Sequence, residues 1–215
     1  MKKNLLRTIA CLTVLTWCLT ACAPTEKPVE VPRKASISVA GFHQPESNRE
    51  LLAGYMDQGA EPVGSEAIAT LDEILSTELR ARWEGLFYNL ALTRQCREVV
   101  LRESGDERLS ALKFWVRVGR CVPVDYLVVP QVLAWEERRG GEWGSEDPAG
   151  VILDLYLVDV GKGELVQRFH FDERQQSLAE NIFSIKRFFS REGKWVTAEQ
   201  LAREAILSGL EELGL

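Results

Sequence analysis

Few side chains in this chain have the chemistry for catalysis, and their spacing keeps them apart. Only two histidines are present, His43 and His170. His43 follows an apolar run and opens a polar stretch, so it reads as a loop histidine without a special role. His170 alternates with Arg168 and Asp172, the period of a strand, and the three read as one solvated face. Asp154 and Asp159 come nearest to a carboxylate pair. Their positions have opposite parity in one strand, so they point to different faces, whereas acid–base work needs groups that converge on one proton. Glu136–Glu137 and Glu211–Glu212 are ordinary charge doublets. The chain has no His-Glu-x-x-His, no paired-cysteine ligand set and no EF-hand loop. Gly-x-Ser-x-Gly and the P-loop are absent too. These residues call for no catalytic centre, no metal and no cofactor. A hydrolase assembled from scattered residues is the least favoured of the readings left.

The cysteines carry more information. Lys2, Lys3 and Arg7 precede a mainly apolar run from Thr8 to Ala21, which ends in Leu19-Thr20-Ala21-Cys22. A basic start, a short apolar stretch and small residues before a cut describe a secretory signal. The run is too short for a comfortable membrane-spanning helix, which needs about 20 residues. A cysteine directly after Leu-Thr-Ala resembles the bacterial lipobox, which implies acylation (palmitate among the chains) at Cys22 as the mature N-terminus. Ala23 rather than Asp after that cysteine points to the outer membrane, facing the periplasm. Residues 1–21 would then be signal peptide, and Cys11 and Cys18 would leave with it. Removing Lys2, Lys3 and Arg7 leaves 23 basic residues against 32 acidic ones, a net charge near −9. That balance argues against nucleic acid, whose binding rests on basic surface. Attachment to the membrane would therefore come from the acyl chains.

Cys96 and Cys121 remain, an even pair in an oxidising compartment. Cys96 precedes the apolar run Glu98–Leu101 and Cys121 precedes Tyr126–Val129. As neighbouring parallel strands, these would set both cysteines at one sheet edge and favour a disulfide, with free buried thiols as the alternative. No Cys-x-x-Cys supports a redox role.

These residues need elements to position them. Residues 23–36, with three prolines and almost no large apolar side chain, read as an extended tether, or alternatively as an arm packed on the domain. Residues 37–215 read as one α/β domain. Ala35–Phe42 suits a first strand. From Ser65, Ile68, Leu71, Leu75 and Leu79 recur at helical spacing, and Arg80 and Arg82 suit the helix end. Glu98–Leu101 reads as a second strand. The turn Ser104-Gly105-Asp106 opens a helix to about Val118. Val124–Trp135 is the most apolar strand, buried on both faces, with Pro130 where its missing N–H does no harm. Val151–Val160 alternates, with Val151, Leu153, Leu155 and Leu157 on one face, and Gly161-Lys162-Gly163 turns it into Leu165–Asp172. Helices over Ser177–Phe189 and from Thr197 close the chain, the latter with a capping box to Gln200. The predicted fold is a mixed five-stranded sheet in the order β-α-β-α-β-β-β-α-α, with helices packed on it.

Three segments carry a family resemblance: the opening strand ending Ala40-Gly41-Phe42, the run Val124–Val129 (VDYLVV), and Leu157–Val166 (LVDVGKGELV). The chain resembles bacterial envelope lipoproteins. It is similar to the periplasmic domain of the curli-secretion channel lipoprotein, to penicillin-binding-protein activator lipoproteins and to the N-terminal domain of the Tol-system propeller protein. The resemblance implies a domain used for protein–protein contact, without catalytic residues to carry over. No spare pair of 9–11-residue alternating strands is present, which disfavours a pore.

Two segments are candidates for partner contact. The loop Trp135–Gly150 holds Trp135, Arg138, Arg139 and Trp143, the residue types that most often anchor interfaces. Trp143 folded back on its own sheet is the alternative. The segment Lys186–Trp195 holds Lys186, Arg187, Arg191 and Trp195, basic and aromatic within an acidic chain; there the alternative is aromatic packing between the last helices. The expected role is a non-enzymatic, lipid-anchored domain that binds another envelope protein. Its rival is a binder of small ligands or glycans, with a pocket near the ends of the parallel strands. The sequence leaves the oligomeric state open.

Overall fold

The computed structural model describes residues 30–55, 59, 61–105, 107, 109–175 and 194–215. The signal peptide, residues 22–29, the helix expected over 177–189, and Lys186, Arg187 and Arg191 lie outside the described residues. Residues 31–36, read as the end of the tether, instead pack on the domain as an arm, with Val31 in the core and Ala35 O accepting the Trp83 indole N–H at 3.1 Å. A mixed five-stranded sheet has the order β2-β1-β3-β6-β7, with β1 Ile37–Val39, β2 Phe87–Tyr88, β3 Tyr126–Glu136, β6 Gly150–Asp159 and β7 Glu164–Arg174. β2 and β3 flank β1 in parallel, and β3, β6 and β7 form the antiparallel meander. A separate two-stranded ribbon joins β4 Arg139–Gly141 to β5 Gly144–Asp147. The four helices among the described residues are α1 Ser65–Arg82, α2 Leu90–Ser104, α3 Ala111–Cys121 and α4 Ala198–Glu212. The α/β single-domain arrangement read from the sequence is the one observed.

Both faces of the sheet are covered. α1 and α4 pack on one face, where Ile37, Val39, Val128, Val151, Leu153, Leu155 and Leu157 meet Leu71, Leu75, Leu201, Ile206 and Leu210. α2 and α3 cover the lower half of the other, where Leu127, Val129, Tyr156 and Val158 meet Val100, Trp115 and Val118. β6 is therefore buried on both sides along most of its length, beyond the one apolar face that its alternation suggested.

One predicted strand is a helix. Glu98–Leu101 lies inside α2, where Asn89 caps the helix by accepting the Leu92 N–H at 3.0 Å. The buried positions Thr93, Cys96 and Val100 repeat at helical spacing, while Val99 and Leu101 are 37% and 44% exposed. A three-residue apolar run cannot by itself separate strand from helix, and the cap decided it. The parallel neighbour of β1 is instead Phe87–Tyr88. Cys96 and Cys121 are joined in a disulfide with Cα atoms 5.6 Å apart. The bond ties α2 to the end of α3, so the strand-edge geometry expected for it does not apply.

Pro130 lies inside β3, where β1 stops being regular. Ala40 N–H donates to Val128 O at 2.8 Å and Val132 N–H to His43 O at 3.1 Å. Between these bonds Gly41 takes φ +85°, and the break leaves the proline without a ladder bond to lose. α4 opens on the expected capping box of Thr197 and Gln200. Among the described residues, no helix is long and apolar enough to cross a membrane.

Candidate functional site

The loop Trp135–Gly150 and the described end of the second segment, Lys194 and Trp195, meet on the β4–β5 ribbon, which grows from the far end of β3. Its turn is the pair Glu142–Trp143 between the partnered glycines Gly141 and Gly144. Trp143 stands at this tip 73% exposed. The tip is braced from below by the chain entering α4. Trp195 N–H donates to Glu142 O at 2.8 Å, Lys194 Nζ lies 3.7 Å from Glu142 Oε2, and the same ammonium sits 5.3 Å from the Trp143 ring centroid. Arg138 donates to the Trp195 carbonyl, and Arg139 pairs with Asp147 across the ribbon. Gln175 anchors the brace through Lys194 O and the Val196 N–H, at 2.9 and 2.8 Å. The structure thus brings Arg138, Arg139, Trp143 and Trp195 into one unit. Trp135 does not join them: it packs half-buried on the core, with its indole N–H on Glu137 Oε1 at 2.8 Å.

A second constellation was misread from the sequence. Arg168 and His170 do more than line a solvated face: His170 is 44% exposed, yet both reach the buried carboxylate of Asp154. Asp154 is 0% exposed; Arg168 holds it two-pronged at 3.0 Å, and His170 Nδ1 lies 2.8 Å from Oδ1. The single proton of the Tyr156 hydroxyl lies between two acceptors, Asp154 Oδ2 at 2.9 Å and Ala53 O at 2.7 Å. Burial first, and the neighbouring Asp154 charge second, push the Tyr156 hydroxyl upward in pKa, so it stays a donor. Gly54 lies flat against the guanidinium; a Cβ there would meet Arg168 Nη2 at 2.6 Å.

Close by, Gln131 Nε2 donates to Glu50 O at 2.8 Å and lies 3.0 Å from His43 Nε2. Burial, helped by the charge of Arg97, lowers the His43 pKa to about 4, so the ring is neutral at pH 7 and accepts from the amide. His43 also leans on Trp115 with ring centroids 5.2 Å apart. Asp154 is thus engaged within the chain by three side chains through four contacts. The cluster is a clasp that holds residues 50–54 on the upper half of the sheet.

A groove of about 540 Å³ runs between α1 and the start of α2. Its walls include Asp72, Glu73, Ser76, Thr77 and Arg80 of α1 and Arg94 of α2. Asp72, 4% exposed, accepts the Phe42 N–H and pairs with Arg94, both at 2.6 Å. Burial raises its pKa, and those two partners pull against the rise. Its carboxylate is satisfied within the chain and leaves no buried polar group directed at a ligand.

No family model matches the chain, and no curated protein matches it. Solved structures similar to it include the PelC dodecamer from Paraburkholderia phytofirmans, at 14% identity and TM-score 0.48, with 87% of this chain and 94% of that chain covered. The LpoB C-terminal domain from Salmonella enterica matches at 13% identity and TM-score 0.41, covering 67% of this chain and 86% of that one. Lipoprotein GNA1162 from Neisseria meningitidis matches at 14% identity and TM-score 0.39, covering 74% and 95%. LpoB is a penicillin-binding-protein activator lipoprotein, one of the kinds that the sequence resembles. At these identities and scores the likeness is one of outline.

Proposed function

We propose that this chain is a non-enzymatic lipoprotein, anchored through Cys22 to the outer membrane and facing the periplasm, that binds another envelope protein through the β4–β5 ribbon. The observation that carries the reading is Trp143, 73% exposed at the tip of a braced turn. An aromatic held outward contributes nothing to the core, whereas a pre-ordered aromatic loses little entropy on binding and makes an effective anchor. The position of the ribbon supports the same reading. The described chain enters the sheet where Ile37 pairs with Tyr126, and the ribbon follows Glu136 at the other end of β3. Eleven strand residues separate the two ends by about 35 Å. Val31 is buried in the core and Ser36 is fixed to Asp125, so a tether would lie before residue 31, at the end of the sheet opposite the ribbon.

The experiment is crosslinking in cells of a C-terminally tagged copy, purified in detergent and read by mass spectrometry. One dominant envelope partner, lost with Trp143→Ala, is expected; a partner retained in that variant would remove the ribbon from the reading.

A further inference from the structure

The outer face of α1 carries a pattern that no core contact explains. Ala69, Glu73, Thr77, Arg80 and Ala81 are exposed and Ser76 is half-buried, and all six line the groove beside α2. They recur three and four residues apart, so they form one continuous stripe opposite the buried Leu71, Leu75 and Leu79. Small side chains run along this stripe, and its two charges are placed evenly about its middle. Glu73 and Arg80 stand equally far from the midpoint between Ser76 and Thr77.

We propose that this face seats the same helix of a second copy of this chain, antiparallel, about a two-fold axis passing between Ser76 and Thr77. The argument is charge complementarity. Only an antiparallel copy centred there sets Glu73 against Arg80 of the second copy and, by the same axis, Arg80 against its Glu73. A two-fold interface must be self-complementary in this way. The small Ser76 and Thr77 lie at the crossing, where helix axes approach to about 8–10 Å. The helix dipoles oppose each other favourably. The contact runs along an 18-residue helix, about 27 Å long. Arg80 is available, since its one described partner is the Phe87 ring, 5.4 Å from the guanidinium carbon. The groove needs no small ligand, because Asp72 is already satisfied by Phe42 and Arg94.

The test uses the full-length chain in cells. Ser76→Cys puts two thiols next to the axis, and Glu103→Cys on α2 serves as the exposed control. A disulfide-linked dimer is expected for Ser76→Cys on non-reducing gels and not for the control. Adding Glu73→Arg turns both attractions into like-charge contacts and should lower the linked fraction about tenfold. Adding Arg80→Glu as well re-forms both pairs with their signs exchanged and should restore it. Three results would overturn the proposal: linkage no greater than the control, linkage indifferent to the charge changes, or linkage to a different protein.

Discussion

Asp154 shows how much a single side chain can organise. Its carboxylate is fully buried and holds Arg168, His170 and the Tyr156 hydroxyl, and through Tyr156 and Gly54 it fixes the loop above. Removing Arg168 would leave that charge buried without its main partner, a change that costs about 3–5 kcal/mol. Arg168→Ala should therefore lower the stability read from urea unfolding by that order. An unfolding midpoint equal to wild type would show that the clasp is not formed. Trp143→Ala is expected to behave oppositely, changing stability by less than about 0.5 kcal/mol because the side chain touches little of the core.

The clasp could not be read from the sequence for a specific reason. Counting the β6–β7 hairpin back from its turn, where Asp159 faces Glu164, sets Asp154 opposite Phe169. A bulge between Leu157 and Val158 shifts the register by one, and Asp154 meets His170 instead. One extra residue moves every later side chain to its neighbour's place. The bulge has no glycine or proline to announce it.

At the scale of elements, the long and periodic ones were legible: α1, α4 with its capping box, β3, and the β6–β7 hairpin. Their patterns extend over enough residues for periodicity to decide. The two-residue β2 had no pattern to show, and Val99-Val100-Leu101 imitated a strand within α2. Of the candidate site, the ribbon residues were legible by type, but the bracing of Trp143 by Lys194 joins positions 51 apart and needed the fold.

Two contacts between elements can be tested. The Cys96–Cys121 bond links α2 to α3 across 25 residues, and closing a loop of that length contributes about 3 kcal/mol. Mass analysis of unreduced protein should find neither thiol alkylated, and alkylation of both would remove the bond. Asp125 ties the start of β1 to β3, accepting the Ser36 N–H and hydroxyl at 2.7 Å each. Those bonds, the backbone one foremost, hold its pKa below the ordinary carboxylate value. A carboxyl depressed in the folded state stabilises above its unfolded pKa, near 4. That contribution is lost as pH falls through the lower, folded value. Asp125→Asn should thus narrow the stability gap to wild type in acid and keep it at pH 7. A gap that stays constant with pH would contradict the assignment.

At the scale of the whole molecule, the sheet has two ends with different tasks. The chain enters at one end, where Ser36 and Asp125 fix it, and the β4–β5 ribbon projects from the other. The outer face of α1 is offered to a second copy. A lipid anchor before residue 30 would hold the entry end toward the membrane and leave the ribbon free for a partner. The most direct test is a photo-crosslinking residue at Glu146, on the exposed side of the ribbon, compared in cells with the same residue at Glu103 on α2. The account predicts one envelope protein captured from position 146 and not from 103, with capture abolished by Trp143→Ala. Equal capture from both positions, or none above background from 146, would contradict it.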